Sequence, residues 1–112
     1  MAEILAKMID ADVIVLASPV YFYTIDAQMK TVIDRTVPRY TEISGKQFYL
    51  IIAAADTSLP HMERTIESFR GFLSCLNNAE ERGIVYGVGA WKKGDVKALS
   101  CMAEAFEFGR NV

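Results

Sequence analysis

The chain has 112 residues, a hydrophobic fraction of 52% and a formal net charge of −2 from 12 basic and 14 acidic side chains. This length corresponds to a single domain, residues 1–112, that can bury a substantial core. The charges are interspersed, so neither a basic stripe for nucleic acid nor an acidic tail is present. No apolar run approaches the roughly 20 residues that span a bilayer, and the first residues lack a signal-peptide layout. We therefore expect a cytoplasmic protein that binds neither nucleic acid nor membrane.

Side chains that could bind metals or act as nucleophiles are few. Cys75 and Cys101 lie far apart in helical patterns, and we interpret both as buried, reduced thiols. Without a Cys-x-x-Cys pair or similar spacing, the sequence predicts no metal or cluster site. The only histidine, His61, is interpreted as a surface residue. No serine–histidine–acid set is present, which disfavours acyl transfer.

The first half of the chain alternates between helical and strand patterns. Apolar residues at helical spacing predict a helix over residues 2–10, and an uninterrupted apolar run predicts a strand over residues 13–17. A second helix is predicted from about residue 26 to residue 36, where the following Pro38 ends it. This order is typical of an α/β protein.

The second half repeats the alternation. Residues 48–55 form the longest apolar run and predict a strand, and residues 59–76 predict a helix with Pro60 in its first turn. A third strand is predicted over residues 84–88. A last helix is predicted from residue 94 to residue 109, with its inward face formed by Val96, Leu99, Met102 and Phe106. Continuous apolar strands separated by helices indicate a parallel sheet covered on both faces.

An aromatic loop follows the first strand. It reads Pro-Val-Tyr-Phe-Tyr at residues 19–23 and leads into a helix that reads Lys-x-x-Ile-Asp-Arg at residues 30–35. In open α/β sheets, ligands bind just outside the carboxyl ends of the strands, where this loop lies. Residues 19–22 and the helix motif closely resemble the flavin-contacting loop of the NADPH-dependent FMN reductase and iron–sulfur flavoprotein family, and the resemblance runs along the whole chain.

The resemblance implies a fold and a chemistry. The fold is a flavodoxin-like three-layer sandwich with a parallel sheet of order 2-1-3-4-5, in which the predicted strands are the third, fourth and fifth. The activity is transfer of hydride from NAD(P)H to FMN and onward to a quinone, a flavin or another acceptor. Because the chemistry belongs to the flavin, we name no catalytic acid or base. The iron–sulfur cluster of some members lies upstream of the matched segment and does not carry over.

Eight residues are candidates for contact with the flavin. An isoalloxazine ring needs an apolar wall and backbone N–H groups directed at its polar edge, which loops at strand ends can supply. The candidates are Ser18, Pro19, Val20, Tyr21 and Phe22 after the first strand, Asp56 and Thr57 after the second, and Trp91 after the third.

Each of these assignments has an alternative. The aromatic loop could instead pack against another subunit, and Thr57 or Ser58 could simply cap the next helix. Trp91 could be a packed residue, since the Gly-x-Gly before it is a weak dinucleotide signal. Arg35 and Arg39 could bind a phosphate or remain solvated.

The family's first two strands and the Ser/Thr-rich phosphate-binding loop have no counterpart in residues 1–112. Strand 13–17 is therefore expected at a sheet edge, where it carries no lysine or proline and offers a template for pairing. We expect a homo-oligomer. The alternative function is a non-catalytic α/β module that self-associates through this edge and the aromatic loop and no longer binds flavin.

Overall fold

A computed structural model describes residues 1–112. Three parallel strands form one sheet in the order β1-β2-β3: β1 is Val13–Pro19, β2 is Gln47–Ala54 and β3 is Glu80–Val88. The helices are α1 Ala2–Asp10, α2 Ala27–Asp34, α3 Glu63–Ser74 and α4 Cys101–Arg110. Short 3₁₀ turns occupy Tyr40–Glu42, Leu59–Met62 and Asp95–Ala98. The predicted α/β alternation and the parallel sheet are confirmed.

One face of the sheet, which we call the packed face, is formed by alternate residues of the strands. In register, Ile14 lies beside Phe48 and Leu16 beside Leu50. Helices α1 and α3 cover this face, and Phe69 of α3 has no exposed surface. Because the side chains of a strand point alternately to the two faces, all of these apolar residues lie in one layer.

The opposite face, which we call the open face, is covered only in part. Helix α4 packs over β3 and reaches β2, where the Phe108 ring lies 5.3 Å from the Tyr49 ring, centroid to centroid. A Cβ atom at Gly83 would lie 2.7 Å from Phe108, so this glycine allows the helix to approach the strand closely. Over β1 nothing covers the open face, and Val15 is 54% exposed. The prediction that both faces are covered is therefore wrong for β1.

The predicted inward face of the last helix is wrong for two of its four residues, while Val96 and Leu99 are partly buried. Met102 and Phe106 are exposed, whereas Cys101 is buried and Phe108 packs on the sheet. Residues 95–98 form a 3₁₀ turn, and Leu99 after it is extended. The α-helix therefore begins only at Cys101. A buried face predicted by helical spacing from residue 96 does not coincide with the buried face of this helix.

Two further expectations differ from the structure. Strand β3 begins at Glu80 rather than residue 84, because its charged start pairs with β2 without contributing to the apolar pattern. Cys75, just after α3, is exposed, so only Cys101 is the buried thiol that was expected. None of the four helices has both the length and the apolar character needed to cross a bilayer.

Candidate functional site

Three connections meet at the carboxyl edge of the sheet, and we call this region the strand-end site. They are residues 20–26 after β1, residues 55–58 after β2 and residues 89–94 after β3. Backbone hydrogen bonds join them: Val20 N donates to Ala53 O at 2.8 Å and Ala90 N donates to Ala54 O at 3.0 Å. The site therefore lies where α/β sheets bind ligands, as the sequence predicts.

The aromatic loop forms a tight turn that exposes its rings. Tyr21 and Thr24 exchange two backbone hydrogen bonds of 3.1 and 3.2 Å. Between them, Phe22 and Tyr23 have φ angles of 49° and 67°. Left-handed backbone at residues other than glycine costs about 1–3 kcal/mol each and is concentrated at functional sites. Phe22 is 99% exposed. The strained turn therefore holds this aromatic side chain in solvent and does not bury it in the core.

Ser18 connects the aromatic loop to the elements on either side of it. Its side chain is buried, and its hydroxyl accepts a hydrogen bond from Asp26 N at 2.9 Å and donates one to Pro19 O at 2.7 Å. The Asp26 carboxylate in turn accepts from Met29 N and caps α2. Ser18 thus joins the end of β1 to the start of α2, and its hydroxyl is already engaged within the chain.

Asp56 organises the second connection. Its Oδ1 accepts a hydrogen bond from Ser58 N at 2.8 Å, and its Oδ2 lies 2.6 Å from Nδ1 of His61. These hydrogen bonds, that of His61 first, lower the pKa of the Asp56 carboxyl below its usual value. The alternative that Ser58 caps the following turn is not supported, because its side chain makes no capping bond. Thr57 is exposed, and its methyl group faces Gly89 of the third connection.

Trp91 projects from the third connection. Its ring is 79% exposed, so it is not packed into the core. The backbone N–H groups of Trp91 and Lys92 both donate to Oδ2 of Asp95, at 3.0 and 2.7 Å. Asp95 therefore holds the turn that carries this tryptophan, beside the strand-end site.

A cavity of about 230 Å³ lies between the first and second connections. It is lined by Val20, Phe22, Tyr23, Ala54, Ala55, Asp56, His61 and Met62. The structure thus brings together three predicted residues: Val20, Phe22 and Asp56. Ser18, Pro19, Tyr21, Thr57 and Trp91 lie around the site without lining this cavity.

The sequence analysis left five cavity residues out of its candidates, and two of them, Tyr23 and His61, contact each other. The Tyr23 and His61 rings meet edge to face with centroids 5.6 Å apart. On Tyr23, the guanidinium carbon of Arg64 lies 5.6 Å from the ring centroid, at cation–π distance. The signal for His61 was present in the sequence: an aspartate and a histidine five residues apart follow the same strand.

A larger groove lies elsewhere, between α2 and α3. It measures about 620 Å³ and includes Ile33, Tyr40 and Phe72 in its wall. Its charged residues Lys30 and Asp34 pair with each other across one helical turn. Thr24 and Ile25 of the first connection reach this groove, but α2, α3 and the segment after α2 form most of its wall, so we do not assign it as the cofactor site.

A comparison with protein-family models identifies the family. Residues 1–91 match the sequence profile of the family described as NADPH-dependent FMN reductase. Because this match covers most of the chain, the protein belongs to that family. No protein with a curated function matches the chain.

Solved structures share the fold. The chain superposes on Trp repressor binding protein from Bacillus subtilis with a TM-score of 0.74 at 20% identity, covering 86% of this chain and 66% of that one. It superposes on an NADPH-quinone reductase from P. pentosaceus with a TM-score of 0.76 at 15% identity, covering 99% of this chain and 74% of that one. On an apo NADH:FMN oxidoreductase the TM-score is 0.69 at 17% identity, with 96% of this chain and 58% of that one covered. At these identities the likeness shows the fold alone, and it confirms the flavodoxin-like expectation. The chain spans about two thirds of the first of these proteins.

The strand-end site fits the ring of a flavin. The backbone N–H groups of Phe22, Tyr23, Ala55 and Asp56 have no hydrogen-bond acceptor within the chain. They lie beside an apolar wall that includes Val20. An isoalloxazine needs both features, donors for its polar edge and an apolar surface for its plane. These residues would hold the ring, and a bound flavin would supply the electron-transfer chemistry.

Proposed function

We propose that this chain forms the ring-binding part of an FMN-dependent NAD(P)H oxidoreductase. In this proposal hydride passes from NAD(P)H to FMN, and electrons pass on to a quinone, a flavin or another acceptor. Family membership supports the cofactor and the class of reaction. The observation that carries the proposal is the strained turn at residues 22 and 23, which places unpaired N–H groups and aromatic rings at the strand ends.

The residues of the cavity wall position the flavin ring for this reaction. Val20, Phe22 and Tyr23 would form the apolar wall, and the free N–H groups of the first and second connections would bind the pyrimidine edge. Pro19 and Ser18 would support the wall from the strand end. Tyr21, Thr57 and Trp91 remain candidates at the rim. We further propose a cytoplasmic location.

A titration with FMN tests the site. Replacing Phe22 by alanine removes a large part of the wall, and we expect FMN affinity to fall by about 1–3 kcal/mol, which is roughly 5- to 150-fold. The measurement is quenching of flavin fluorescence at fixed salt. The matched control is Phe106→Ala, which removes another exposed phenylalanine on α4, outside the site. Equal affinities for the two variants would place the flavin elsewhere.

The same titration tests the predicted role of Tyr21. A loss of affinity in Tyr21→Ala would extend the wall beyond the cavity seen here. Unchanged affinity, combined with a loss in Phe22→Ala, would restrict the wall to Phe22 and Tyr23.

A second candidate function is supported by the open face. Val15 is 54% exposed on a strand at the edge of the sheet, and Phe22 is 99% exposed. Both features suit a module that self-associates without a cofactor. A purified protein that is colourless and does not respond to added FMN would favour this candidate. A yellow protein with flavin absorbance would favour the oxidoreductase.

A further inference from the structure

His61 and Asp56 form a pair at the wall of the strand-end cavity. Asp56 Oδ2 lies 2.6 Å from His61 Nδ1, and the other oxygen of the carboxylate accepts from Ser58 N. Because both oxygens are engaged within one short connection, the carboxylate has a fixed orientation. A carboxylate on one ring nitrogen determines the tautomer of a neutral imidazole. The proton of neutral His61 therefore resides on Nδ1.

The other ring nitrogen is free. His61 Nε2 makes no hydrogen bond within the chain, and it lies on the opposite edge of the ring from Nδ1. Contact with the edge or face of Tyr23 limits the tilt of the imidazole. His61 lines both the 230 Å³ cavity and an outer cavity that Glu63 and Arg64 help to line. Nε2 is thus available to a molecule that enters either cavity.

We propose that His61 is a catalytic residue that donates a proton from Nε2 to an acceptor of the quinone class, and that Asp56 is the positioning residue that orients it. This inference rests on the proposed function, in which a quinone is one of the acceptors, and adds the proton donor. A quinone becomes a hydroquinone by gaining two electrons and two protons. Hydride transfer accounts for both electrons and one proton.

The second proton comes from the imidazolium form of His61. The Nε2–H bond breaks and an O–H bond forms on the hydroquinone, while the Nδ1–H bond to Asp56 is kept. A proton from solvent then restores the imidazolium, so atoms and charges balance over one turnover. Of the side chains that line the cavity, the imidazole is the type that most often serves as a general acid. The lowered pKa of Asp56 keeps the carboxylate ionised as its partner.

Two acceptors separate proton donation from electron transfer. Duroquinone takes two electrons and two protons, and its fully substituted ring does not alkylate the exposed Cys75. Ferricyanide takes one electron and no proton. With the FMN-loaded chain and NADPH, we expect His61→Gln to slow duroquinone reduction about 100-fold, the lower end for general acids. Ferricyanide reduction should be unchanged, and added imidazole should restore part of the duroquinone rate.

The control is Glu104→Gln, which changes an exposed carboxylate on α4 outside both cavities and should leave both rates unchanged. A second measurement needs no activity. Because His61 is the only histidine, its ring nitrogens can be assigned directly in ¹⁵N NMR spectra of the neutral form. We expect the proton on Nδ1 in the native chain and on Nε2 in Asp56→Ala.

The outcomes are distinct. Loss of ferricyanide and duroquinone reduction to the same extent in His61→Gln would show that His61 only supports the fold, and would overturn the inference while the proposed function stands. A neutral tautomer protonated at Nε2 in the native chain would overturn the role of Asp56. If the native chain with FMN and NADPH does not reduce ferricyanide, the proposed function fails and this inference falls with it.

Discussion

The packed face and the open face of the sheet are made from the same three strands, yet they have different environments. On β2, Ile52 of the packed face has no exposed surface, while its neighbour Ile51 of the open face is partly exposed. Helices α1 and α3 cover one side, and α4 covers only the β3 end of the other. Apolar sequence alone does not distinguish these environments.

The two faces contribute to different properties: the packed face to the stability of the fold and the open face to association with other chains. Burial of apolar surface stabilises a fold by about 25 cal/mol per Å², so the packed face carries most of the stability. The open face over β1 retains apolar side chains in solvent beside unpaired strand edges, a combination suited to association with another chain. The strand-end site lies at the rim shared by both faces, on connections that the packed face holds in place.

The largest expected effect compares two identical residues on opposite faces. Ile52→Ala should lower the free energy of unfolding by about 4 kcal/mol, because it leaves a cavity in the tightest part of the core. Ile51→Ala should cost about half as much, because this side chain is already partly solvated. Urea denaturation measures both. Equal losses would mean that the open face is covered in solution.

A smaller effect concerns an ion pair on the packed side. Arg70 of α3 donates two hydrogen bonds to Glu81 at the start of β3, at 2.9 and 3.0 Å, and lowers the pKa of that carboxyl. A lowered pKa means stability that is present above the usual glutamate value of 4.5 and is lost as the pH falls through the lowered value. We expect Glu81→Gln to remove about 1 kcal/mol of this pH-dependent stability.

The control for this pair lies on α4. Arg110 and Glu107 also form an ion pair, but both side chains are mostly exposed, so Glu107→Gln should leave the pH profile of unfolding unchanged. Identical profiles for the Glu81 and Glu107 variants would show that α3 is not tied to β3 by charge.

The smallest expected effect on stability is that of Val15→Lys, a substitution that should change the oligomeric state. We expect the native chain to form an oligomer through the open face, and Val15→Lys to convert it to a monomer of 12.5 kDa because a charge there opposes pairing. The free energy of unfolding of the monomer should change by less than about 0.5 kcal/mol, as for other exposed positions. Light scattering measures the mass. Val37→Lys, at an exposed valine outside the sheet, should remain oligomeric.

The sequence by itself was sufficient for the architecture. Long apolar runs bounded by turns identified β1 and β2, because strands of a parallel sheet need continuous apolar residues. Position after a strand was enough to locate Phe22 and Asp56 at a ligand edge, because carboxyl ends of parallel strands meet there. The apolar runs are local signals, and the position of Phe22 and Asp56 follows from the topology of the sheet.

Tertiary structure decided which side chains meet. The edge-to-face contact of Tyr23 with His61 joins residues of different connections, and no periodicity encodes it. The left-handed backbone at Phe22 and Tyr23 departs from local preference, and the surrounding turn imposes it. The uncovered face of β1 likewise depends on where α4 packs. Local propensity acts over a few residues, whereas burial and contact between distant segments depend on the whole fold, so only the structure could decide them.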